Sequence, residues 1–152
     1  MRPRSLCLLV VSLCAVSLVG CSEVDPGDQA GDIVLWLEQA PSAVQDDGDA
    51  LTVLASLVER GEEADGDEIS AAFEEPVTIR GVELECFGAG SVEGLLGLTS
   101  AAGAVDTTSA RASCAEGVLE LDIPESSRAG VTKVSFSSVA STEKGAWRVI
   151  IR

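Results

Sequence analysis

The chain contains no histidine and no tyrosine, a single methionine, and only five aromatic residues in 152: Trp36, Phe73, Phe87, Phe136 and Trp147. Without an imidazole there is no ordinary general base, no Ser-His-Asp or Cys-His arrangement, and no His-containing zinc site. So few aromatics leave little material for a sugar-stacking cleft, and the core must come from Val, Leu, Ile and Ala. Cationic side chains are scarce too. Ten Lys and Arg face 25 Asp and Glu, a formal net charge of −15. Such a surface repels phosphate backbones, which excludes nucleic acid as a partner. No apolar run reaches the ~20 residues that a membrane-spanning helix needs.

The N-terminus carries the clearest signal. Met1-Arg2-Pro3-Arg4-Ser5 is a short basic start, and residues 6–19 form an unbroken run of apolar and small side chains. That pattern is the h-region of a secretory signal, with Arg2 and Arg4 held on the cytoplasmic side. The run ends in Leu18-Val19-Gly20-Cys21, which resembles the lipobox of bacterial lipoproteins. The resemblance covers residues 1–21 only. It implies that the Cys21 thiol receives a diacylglyceryl group and that cleavage falls just before it. Residues 1–20 are then a signal peptide that takes Cys7 and Cys14 away with it. The alternative is an ordinary secretory signal with an incidental Cys.

Two acyl chains on one residue suffice for stable membrane attachment where one does not, at about 0.8 kcal/mol per buried methylene. The membrane is therefore the first expected partner, through lipidated Cys21. Residue 22 is Ser and not the Asp that marks inner-membrane retention in enterobacterial lipoproteins, which favours an outer membrane if the cell has one. Residues 21–32, with Pro26, Gly27 and Gly31 among four acids, read as an acidic flexible tether. Residues 33–152 read as one domain.

Charge is uneven along that remainder. Residues 22–75 hold 16 acids against Arg60 alone, whereas residues 76–152 hold 9 acids against 7 bases. Cys86 and Cys114 are the only cysteines beyond the anchor. An exported pair is most simply a disulfide, and both fall on the apolar side of an alternating stretch. Closing the loop between them stabilises the fold by ~3.5 kcal/mol in the chain-entropy model.

Residues 33–39 stop before Pro41 and fit either a short helix or an edge strand. Ala50, Leu51, Val53, Leu54, Leu57 and Val58 follow helical spacing, so a helix is predicted over 49–60, capped by Asp49 and closed by Gly61. Residues 62–68 read as an acidic linker, and 69–73 as a further helical turn before Pro76. From residue 77 the period becomes two. Strands are predicted over 77–79 and 82–87, with Gly81 as a bulge, then over 107–114, 118–123, 131–138 and 146–151. Residues 115–117 and 143–145 read as hairpin loops carrying Gly. Residues 88–105 are rich in Gly, Ala and Ser and stay ambiguous. The expected fold is α+β: an antiparallel meander of about five strands covered by one N-terminal helix, with a small β-sandwich as the alternative.

Four stretches invite chemical readings. Glu63, Asp65, Asp67 and Glu74 occupy positions 1, 3, 5 and 12 of an EF-hand frame, but Glu68 stands where Gly is required and Ser70 where Ile is usual. They are weak calcium candidates in what reads as a solvated linker, and no metal or cofactor is expected. Gly88-Ala89-Gly90 with Gly94 departs from the dinucleotide fingerprint, because the last Gly falls one residue late. Ser141-Thr142-Glu143-Lys144 matches S-x-x-K without the companion motifs of that enzyme class. Trp147 alternates with Val149 and Ile151 and reads as core. Trp36 could staple the arm to the domain or meet a partner. The expectation is an exported, lipid-anchored envelope protein without enzymatic activity: a binding or structural module of unknown ligand, with a protein of the envelope as partner. A calcium or small-ligand binder and an envelope hydrolase are the alternatives.

Overall fold

A computed structural model of the chain describes residues 26–39, 42, 48–62, 68–88 and 90–152. The elements in order are α1 (Pro26–Glu38), β1 (Thr52–Val58), β2 (Gly61–Glu62), β3 (Ile69–Val77), β4 (Val82–Phe87), β5 (Ser91–Ser100), β6 (Val105–Ser113), β7 (Leu119–Glu120), α2 (Glu125–Arg128), β8 (Val131–Ser141) and β9 (Gly145–Ile151). Among the described residues all strand pairing is antiparallel. One sheet has the order β1-β9-β4-β7; the other has β2-β8-β5-β6, with β3 also pairing with β8.

The two sheets close on one core. Leu54 and Val58 of β1, Val82, Leu84 and Cys86 of β4, and Trp147, Val149 and Ile151 of β9 face inward from the first sheet. Val92, Leu96 and Leu98 of β5, Ala110 and Ala112 of β6, and Val131, Val134 and Phe136 of β8 face them from the second. Phe136 and Trp147 meet across the middle with ring centroids 4.6 Å apart and planes tilted by 57°, a spacing that suits the quadrupoles of both rings. Trp147 is fully buried, and its Nε1 has no hydrogen-bond partner among the described residues.

Phe136 fits because residue 94 has no side chain. A Cβ at Gly94 would lie 2.3 Å from Phe136 Cζ and 2.7 Å from the carbonyl oxygen of Ser137. The ring therefore rests on bare backbone of the neighbouring strand, one of the uses to which Gly in a strand is put. The Cys86–Cys114 disulfide ties the sheets together from the other side, with 4.9 Å between the Cα atoms. It links the inward face of β4 to the residue just after β6.

The meander is corrected to the sandwich held as its alternative. Only β2–β3 and β5–β6 connect strands of the same sheet; every other connection crosses between sheets. The expected hairpins at 115–117 and 143–145 are both such crossings, and the described hairpin is β5–β6, turned at Gly103 with φ 81°. Both inner faces are apolar, so a short Gly-containing loop serves a crossing as well as a hairpin.

The helix predicted over 49–60 is a strand. β1 pairs with β9 over seven positions, from Thr52↔Ile151 to Val58↔Gly145. Leu54 and Val58 are buried, whereas Leu51 and Leu57 of the supposed helical stripe are exposed. A ladder with a strand buried on both faces outweighs helical spacing over one short stretch. Likewise 69–73 belongs to β3, not to a helical turn, and 78–81 is a connection, not a bulged strand. The ambiguous 88–105 contains β5, which pairs with both β6 and β8.

The one helix of the expected α+β fold lies elsewhere. α1 resolves 33–38 as helix, with Gln39 in a turn, and takes in 26–32 of the expected flexible tether as well; residues 21–25 of that tether lie outside the described residues. Pro26 starts it, a position where the missing N–H has no intrahelical partner to lose.

This packing makes two measurable demands. Gly94→Ala should destabilise the domain by about 3 kcal/mol, because both the Phe136 ring and the Ser137 backbone must move; a urea melt with an unchanged midpoint would refute the close seat. Reduction of Cys86–Cys114 should cost about 2–4 kcal/mol, lowering the melting temperature by roughly 6–20 °C. Calorimetry with and without reductant checks it.

Candidate functional site

Two features collect polar and charged groups at one end of the sandwich, where β1, β4 and β8 end and β5 and β9 begin. The first is a cleft of ≈ 440 Å³ lined by Arg60, Gly61, Ser91, Glu93, Arg111, Ala140, Ser141 and Thr142. Its floor is fixed by strand ends. The Ser91 N–H donates to Thr142 Oγ1 at 3.0 Å, and the Thr142 N–H donates back to the Ser91 carbonyl at 3.2 Å. The Ser141 hydroxyl donates to the Glu143 carbonyl. These hydroxyls are engaged in holding the loop.

Charge in the cleft comes from three side chains. Glu93 on β5 and Arg111 on β6 stand opposite each other in register and pair at 3.0 Å. Arg111 is largely exposed and Glu93 partly so, so the pair contributes under about 1 kcal/mol and its geometry is easily given up to a ligand. Arg60 is exposed beside them. The arrangement offers two guanidiniums and one carboxylate around main-chain polar groups, suited to a polar ligand bearing an anionic group.

The second feature is the docking of α1 onto the outward face of β4 and β9. Glu85 and Arg148 are cross-strand partners, and Arg148 Nε donates to Glu85 Oε2 at 2.6 Å. The Arg148 guanidinium also lies 4.7 Å from the ring centroid of Trp36, which stacks on Phe87 at 6.0 Å with an interplanar angle of 18°. Together with Ile33, which is buried, Trp36 thus holds α1 to the sheet. Beneath it the side chains of Glu85 and Arg148 are each over four-fifths buried. A second pair, Glu83 with Arg152, is doubly bonded at 3.0 and 3.1 Å.

Of the residues singled out from the sequence, Cys86 and Cys114 are brought together. Cys21 and the signal lie outside the described residues, as do Glu63, Asp65 and Asp67. Glu74 is exposed where the β3–β8 register breaks. Among the described residues no group of three or more acids or cysteines is placed to hold a metal ion. No helix there is long and apolar enough to cross a membrane.

Gly88 and Gly90 serve the backbone, with φ 76° and 63°. Lys144 Nζ pairs with Glu59 at 2.8 Å, so the S-x-x-K tetrapeptide spends its Ser and Lys on different partners. The cleft itself is not legible in the sequence. Its members come from separate stretches, and only the Glu93–Arg111 pairing carries a signal, visible once β5 is known to face β6. No family model, no curated protein and no solved structure matches this chain.

The two ion pairs should separate cleanly in a urea melt. Arg148→Ala removes a largely buried guanidinium bonded to Glu85 and lying under Trp36, and should cost about 2–3 kcal/mol. Arg111→Ala should cost under about 0.5 kcal/mol. Equal effects would contradict the difference in burial.

Proposed function

We propose that the chain is an exported bacterial lipoprotein, anchored in the membrane by a diacylglyceryl group on Cys21. Its β-sandwich is a non-enzymatic binding module of the cell envelope. The observation that carries this reading is the Cys86–Cys114 bond. It uses both cysteines that remain once a lipobox signal is removed, and such bonds persist in oxidising compartments. The basic start, apolar run and Leu18-Val19-Gly20-Cys21 supply the matching address.

The binding role is supported by the cleft at Arg60, Glu93 and Arg111, in which the hydroxyls of Ser141 and Thr142 are held by main-chain contacts. A ligand with a carboxylate or phosphate suits the two guanidiniums. An envelope protein is the partner class that fits an anchored module of this kind.

Cys21→Ser should abolish partitioning into detergent and leave the signal uncleaved, since a lipoprotein peptidase acts only on the modified Cys. Normal processing and release of that variant would show an ordinary secretory signal and end the lipoprotein reading.

A further inference from the structure

α1 packs on the sandwich from Ile33 onward and not before it. Ile33 is 2% exposed, and its Cδ1 sits 3.6 Å from where a Cβ at Gly88 would be, beside Lys144 and Gly145 at the cleft end. Three residues on, Trp36 lies over Phe87 and Arg148, further in along β4 and β9. The helix therefore runs inward from its N-terminal side to its C-terminal side. One turn before Ile33, on the same helical face, Ala30 is already exposed, as are Gly31 and Asp32. A Cβ at Gly31 would meet nothing within 4 Å. The first turns of α1 thus project past the end of the sandwich.

That direction bears on the anchor, provided that Cys21 is lipidated as proposed for this chain. Four residues separate Cys21 from Pro26. Fully extended, that stretch spans at most about 17 Å. From Pro26 to Ile33 the helix adds about 10 Å. We propose that α1 is a stalk that sets both the height and the orientation of the sandwich on the lipid surface. The cleft end, with the 115–117 loop and the Ser141–Lys144 loop, faces the bilayer at under about 30 Å; the Ala101–Gly103 turn and α2 face away. α1 carries Asp28, Asp32 and Glu38 and no Lys or Arg. Anionic headgroups repel such a helix, so it stands off the surface and does not lie on it. The cleft then lies at the membrane-facing end of the domain, where its ligand is membrane-proximal.

The experiment measures energy transfer from the processed full chain, carrying one fluorophore at residue 116 or residue 102, to acceptor-labelled lipid in phosphatidylglycerol-containing vesicles. The two sites lie at opposite ends of β5, a strand of roughly 30 Å. Transfer from residue 116 should exceed that from residue 102 at least about twofold. Inserting a flexible stretch of Gly and Ser between Asp25 and Pro26 should lower transfer from residue 116 to the level of residue 102. Equal or reversed transfer, in protein whose mass shows the diacylglyceryl group on Cys21, overturns the stalk and leaves the anchor standing. Protein without that group overturns both.

Discussion

The sandwich depends on one aromatic ring lying on bare backbone. Phe136 reaches Trp147 across the interior because Gly94 on the adjacent strand has no side chain to fill that space. With five aromatics in the whole chain, two are spent on this contact, and aliphatic side chains complete the core around it. The centre is thus supported by bulk that small residues cannot supply. The disulfide acts at the periphery, where β6 contributes only Ala110 and Ala112 to the buried set. A strand edge built from alanine buries too little surface to hold itself, and Cys114 ties that edge to β4.

Much of the strand pattern could be read from period two. Val82, Leu84 and Cys86 share an inward face, as do Val134 with Phe136 and Trp147 with Val149 and Ile151. Leu121 and Ile123 are buried as their alternation required, although the ladder there covers only Leu119 and Glu120. The failures have physical sources. Six apolar residues in 50–58 fit a helical stripe, yet the same stretch contains Thr52, Val53 and Val58, which suit a strand beside β9. The glycines of 88–105 resemble breakers. Gly94 is instead a seat for Phe136, and Gly97 leaves room for the Ser135 hydroxyl, 2.7 Å from where its Cβ would be. A single sequence does not reveal which neighbour a glycine makes way for.

The candidate site was less accessible for a related reason. Arg60, the Ser91–Glu93 stretch, Arg111 and Ser141 are far apart in the chain, and no local spacing unites them. Only the order of strands in the second sheet brings them to one end. Trp36 was recognisable as a residue needing an explanation. Its partners Phe87 and Arg148 could not be named before β4 and β9 were known to be neighbours with outward faces below α1.

The pairing of β1 with β9 also governs when the chain can fold. β1 has one ladder partner, and that partner spans residues 145–151. β4 also waits for β9, since its other neighbour is the two-residue β7. The first sheet cannot assemble until β9 has been synthesised, and loop closure over such separations is slow. β1 has nothing to pair with until then, whereas β5 and β6 can form their hairpin early, and among these strands β9 is the one that lets the first sheet close.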